Sequence, residues 1–88
     1  MKQLPPTLHQ MSQKGASDEE LQFIFDAMVE AEARGTHFLN IYNWKDSGVY
    51  FGRERAVADQ QLSRWRAKVG PALGFELSAG AWIEREEN

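Results

Sequence analysis

A chain of 88 residues with a net charge of −3, 42% hydrophobic and 11% aromatic, has room for one globular domain with a modest core. Cysteine is absent, which excludes disulfides and thiolate metal sites. No apolar run approaches the ~18 residues of a membrane span, and residues 1–15 lack the apolar centre of a secretory signal, so a cytoplasmic protein is expected.

Residues 1–16 read as an N-terminal arm. Pro5-Pro6 blocks regular structure before it. Thr7 can cap a short helical turn in which Leu8 and Met11 share a face, ending at Lys14-Gly15. A turn this short persists only when docked. Residues 17–88 read as a single α+β domain.

Ser17-Asp18-Glu19-Glu20 is a capping box whose three acids suit the positive end of a helix. Leu21, Ile24, Phe25, Met28 and Ala31 follow at helical spacing and predict one buried stripe, with Gly35 as the stop. Phe23 falls off that stripe and is expected on the surface, a candidate anchor for a partner. His37–Gly52 reads as a hairpin rich in strand formers around the turn residues Lys45-Asp46-Ser47-Gly48. Alternation places Phe38, Tyr42 and Trp44 on one face with Val49 and Phe51 opposite them, and Leu39, Ile41 and Tyr50 on the other.

Residues 54–69 predict a second helix, with Ala58, Leu62, Trp65 and Val69 as its stripe and Arg53, Arg64 and Lys68 gathered elsewhere. A strand running on to Val57 is the alternative start. Gly70-Pro71 stops the helix. Phe75–Ser78, Ala79-Gly80 and Ala81–Arg85 read as a second, weaker hairpin with Phe75, Leu77 and Ile83 as core residues. The order is αββαββ, that of a permuted ferredoxin-like unit. It predicts two helices packed on one face of a mostly antiparallel sheet of two hairpins, leaving an aromatic-bearing face uncovered.

Charge is unevenly distributed. Six acids and no base lie between Asp18 and Glu32, whereas Arg53, Arg55, Arg64, Arg66 and Lys68 face only Glu54 and Asp59 in the second helical segment. This pattern predicts two solvated helix faces of opposite sign packed as neighbours; the alternative is a polar molecule that associates through complementary ends.

Motifs for chemistry are sparse. The two His residues are 28 positions apart and make no metal-ligand pair. No serine sits in a nucleophile elbow and no glycine run forms a phosphate cradle. No catalytic residue, metal or cofactor is therefore assigned. Asn40-Ile41-Tyr42 and Tyr50-Phe51-Gly52, with Arg64 and a later Glu76 or Glu84, resemble a GIY-YIG nuclease module across residues 40–84. That resemblance implies a catalytic Arg on the helix after the hairpin. Asn40 stands where the family has glycine, the link between the triplets is shorter, and Arg64 lies further along.

The expected function is a non-enzymatic protein-interaction module, acting as adaptor, inhibitor or regulator. Its aromatic-bearing surface would be built from Phe23, Phe38, Tyr42 and Trp44, with Arg53, Arg64 and Lys68 at hand, and its partner would be another protein or, most simply, a second copy in a two-fold homodimer. A domain binding single-stranded nucleic acid through sheet aromatics and the basic helix is the alternative. The net negative charge opposes it, and the nuclease stands third.

Overall fold

In a computed structural model of the chain, residues 6–42, 45 and 48–85 are described. They form three helices and four strands: α1 (Pro6–Gln13), α2 (Asp18–Ala33), β1 (Phe38–Tyr42), β2 (Gly48–Gly52), α3 (Arg55–Lys68), β3 (Ala72–Ser78) and β4 (Ala81–Glu84). The α+β class and the antiparallel sheet of two hairpins agree with the sequence. Trp44 and the turn residues Asp46 and Ser47 lie outside the described residues.

The strands lie in the order β2-β1-β3-β4, every pair antiparallel. The two hairpins thus meet through their first strands. The helices do not share a face. Leu8 and Met11 of α1 and Leu21, Ile24, Ala27, Met28 and Ala31 of α2 enclose a core with Leu39, Ile41, Phe75 and Trp82. Strand side chains alternate between faces, so Asn40, paired with Gly74, points the other way, and there it meets Ala58 and Gln61 of α3. The sheet is the middle layer of three, and both of its faces are covered. The expected bare aromatic face required both helices on one side. Here α1 supplies the second helix of the α2 face, releasing α3 to cover the other.

Local corrections follow from the register. Phe51 pairs with Leu39, Val49 with Ile41 and Tyr50 with Asn40. Val49 and Phe51 therefore belong to the α1/α2 face, not with Phe38 and Tyr42. A loop one residue longer or shorter exchanges the two faces of the returning strand. In the second hairpin Leu77 pairs with Trp82, so Trp82 is buried and Ile83 is 46% exposed. Ala79 and Gly80, with φ of 50° and 81°, make the two-residue turn that sets this pairing.

Helix α2 is bounded as its residues dictate, whereas α1 begins at Pro6 and takes in Thr7, which is therefore not its cap. Ser17 caps α2 by accepting from the Glu20 amide at 3.1 Å, and Gly35, at φ 73°, closes it. On α2, Phe25 is 41% exposed whereas Phe23 packs against the core, the reverse of expectation. The two lie about 100° on either side of Ile24, so periodicity alone does not choose between them. Helix α3 starts at Arg55, so β2 does not continue to Val57. Its buried stripe is Ala58 and Leu62, with Trp65 half-buried and Val69 exposed. Helix α1 is held by Leu8 and Met11 in the core and by the Thr7 hydroxyl donating to the Trp82 carbonyl.

Candidate functional site

The most ordered polar constellation lies between the sheet and α3. Arg85, just beyond β4, is 5% exposed. Its Nε donates to Asp59 Oδ1 at 2.8 Å, Nη1 to the Phe75 carbonyl at 2.7 Å and Nη2 to Asn40 Oδ1 at 2.7 Å. The guanidinium also lies 5.6 Å from the Phe38 ring centroid. Asn40, fully buried, donates to the Ala58 carbonyl at 2.8 Å and to Gln61 Oε1 at 2.7 Å. Gly74 makes room for this, since a Cβ there would stand 3.1 Å from Arg85 Cζ and 2.6 Å from Leu62 Cδ2.

A buried cation with each of its nitrogens donating, and an amide using both ends, form a satisfied network. Such a cluster fixes α3 to the sheet. It offers no base or nucleophile poised toward an open cleft. Sequence reasoning missed it because Asn40 and Arg85 each read as an ordinary hairpin residue. The one available signal was an Asn in the middle of an otherwise apolar strand.

The structure scatters the expected interaction residues. Phe38 is buried beneath Arg85 and Phe23 is packed on the core, so neither forms a free surface. Tyr42 is half-buried, its ring 6.0 Å from that of Trp65 and tilted by 53°. Arg53 donates to the Arg34 carbonyl at 3.1 Å, at the far end of the hairpin from Tyr42. Arg64 and Lys68 are exposed on the outer side of α3, and no other described residue engages them. Arg55 and Arg66 turn inward instead. The first pairs with Glu76 at 3.2 Å, and the second donates to the Ala72 carbonyl at 2.9 Å.

The nuclease resemblance finds no assembled site. Asn40 and Tyr42 lie on the sheet face beneath α3. Arg64 lies about 160° around the helix from the buried Leu62. Glu76 is committed to Arg55. Among the described residues no group of three or more His, Asp or Glu side chains could hold a metal ion. Two shallow grooves beside α1, of about 330 and 290 Å3, share Lys14 and Glu84, residues of opposite charge.

No family model, curated protein or solved structure matches the chain.

Among the described residues, exposed apolar side chains lie at Val69, at Ile83 of β4 and on two helix surfaces. On α2, Asp18, Phe25, Val29 and Glu32 recur at i, i+7, i+11 and i+14 and form one outer ridge, with Phe25 41% and Val29 51% exposed. On α3, Val57, Gln60, Arg64 and Lys68 recur at i, i+3, i+7 and i+11, with Val57 45% exposed. Each ridge joins an apolar contact to charge, and the two charges are opposite. No described helix is long and apolar enough to cross a membrane.

Proposed function

We propose that this chain is a small non-enzymatic protein-interaction module that associates with copies of itself and acts as an adaptor, inhibitor or regulator. One observation carries the proposal: α2 and α3 each present an outward ridge of charge and exposed apolar side chains, acidic around Phe25 and Val29, basic beside Val57. The buried Arg85 and Asn40 are spent on holding α3 to the sheet. Interface anchors are typically aromatic or Arg side chains with polar surroundings, and Phe25 and Arg64 fit that description. The accessible aromatic anchor is Phe25 in place of Phe23 and Phe38.

The nucleic-acid alternative draws less support. A stacking platform needs an open sheet face, and α3 lies across the face that carries Phe38 and Tyr42. A concentration series in the ultracentrifuge, run beside a fluorescence-anisotropy titration with a single-stranded oligonucleotide, tests the proposal. Association of the chain at micromolar to millimolar concentration without oligonucleotide binding is expected. A chain that stays monomeric to millimolar concentration and binds the oligonucleotide at micromolar concentration would replace this reading with the alternative.

A further inference from the structure

We infer that the chain associates head to tail, the acidic α2 ridge of one copy docking on the basic α3 ridge of the next; the inference rests on the self-association proposed above. The sheet decides the geometry. Helix α2 packs on the face of Leu39 and Ile41, and α3 on the face of Asn40. The helices therefore lie on opposite sides of the sheet, and their ridges are separated by its thickness.

A two-fold dimer buries the same patch on both copies. Across a two-fold axis the α2 ridge would set Asp18 and Glu32 against themselves, and the α3 ridge would set Arg64 against Lys68. Like charges brought together disfavour both arrangements. A symmetric dimer that used α2 against α3 twice would need both ridges to open toward one edge of the sheet. The heterologous contact pairs opposite charges, and it leaves one free α2 ridge and one free α3 ridge on every pair. Such a contact propagates into a chain or closes into a ring.

The ridges match in kind as well as in sign. Phe25 and Val29 provide apolar area at the middle of α2, with carboxylates at either end. Val57 provides it near the start of α3, with Arg64 and Lys68 one helical turn apart beyond. Neither cation has a partner among the described residues to be displaced on docking. A single helix on a single helix buries less than the ~1,200 Å2 of a stable complex, so the contact is weak and dynamic.

The test uses the whole chain and two double variants with all changes at exposed positions. Phe25→Ala with Glu32→Gln removes the α2 ridge, and Arg64→Gln with Lys68→Gln removes the α3 ridge. Sedimentation equilibrium of the unaltered chain is expected to give a mass that passes the dimer as concentration rises at about 0.1 M salt. It should fall back as the screening length shortens from about 10 Å to about 3 Å at about 1 M. Each double variant alone should associate at least about tenfold more weakly. Mixed together they retain one intact ridge each and should form a 1:1 pair that grows no further. An unaltered chain that stops at a dimer, or association indifferent to salt and to both variants, would overturn the head-to-tail contact while leaving self-association standing. A chain that is monomeric at millimolar concentration would overturn both.

Discussion

Replacing Arg85 by methionine probes the contact that makes this a three-layer molecule. Methionine keeps much of the unbranched stem over Phe38 and removes only the guanidinium. Asn40 Oδ1 and the Phe75 carbonyl lose donors at 2.7 Å. Each buried acceptor stripped of its donor costs about 1–3 kcal/mol. Asp59, with its side chain 47% exposed, regains water and adds little. The expected loss is therefore about 3–5 kcal/mol, a large part of the stability available to a chain of this size. Urea denaturation followed by tryptophan fluorescence measures it. With a slope near 1 kcal/mol per molar, the midpoint should fall by roughly 3 M, or the variant should be unfolded at the outset. Adding Asn40→Leu to the Arg85→Met chain removes one of the orphaned acceptors, so the double change should cost at least about 1 kcal/mol less than the sum of the singles. A midpoint unchanged by Arg85→Met, or strict additivity, would refute the network.

Four further changes are expected to act through named contacts. Gly74→Ala places a Cβ against Leu62 and Arg85 and should cost about 1–3 kcal/mol by overpacking, read as a lower denaturant midpoint. Ser17→Ala removes the acceptor of the Glu20 amide and should cost about 1 kcal/mol in the same assay. Ala79→Asn should stabilise by about 0.5–1 kcal/mol, because Ala79 holds a left-handed φ of 50° that Asn tolerates better. A lower melting temperature would show that the turn is misassigned. Trp65→Ala, at a half-buried site against Tyr42, should cost about 2 kcal/mol, roughly half the penalty of a fully buried Trp.

The elements themselves were legible in the residues. Ser17 with Glu20, Gly35, Gly70-Pro71 and Ala79-Gly80 mark boundaries by local backbone chemistry, and the observed strands and helices respect them. Orientation was less legible because it depends on parity and on distant partners. The loop between β1 and β2 decides which face Val49 and Phe51 join, and its composition does not fix its register. Phe23 and Phe25 flank the α2 stripe symmetrically, so the choice between them rests on tertiary packing. The layering turned on α1, whose Leu8 and Met11 complete the α2 face although the segment alone is too short to persist as a helix. The Arg85–Asn40 pair joins residues 45 positions apart, beyond the reach of any local pattern.

Under the proposed pairing of ridges, the interaction surface differs from the one that aromatic content alone suggests. Most aromatic side chains here serve the two cores or their margins, as Phe38, Phe51, Phe75 and Trp82 do. The proposed surface instead sets Phe25, Val29 and Val57 beside Asp18, Glu32, Arg64 and Lys68. Because the chain has no cysteine, one spin label can be attached cleanly at Ala33→Cys, an exposed position at the end of α2. Mixed with an isotopically labelled, unaltered copy, this chain reports contacts between copies through paramagnetic broadening of amide signals. Broadening centred on α3, between Val57 and Lys68, and reversed by high salt, is the expected result. Broadening centred on α2 of the labelled copy, or none at concentrations where the chain associates, would contradict the pairing of the acidic and basic ridges.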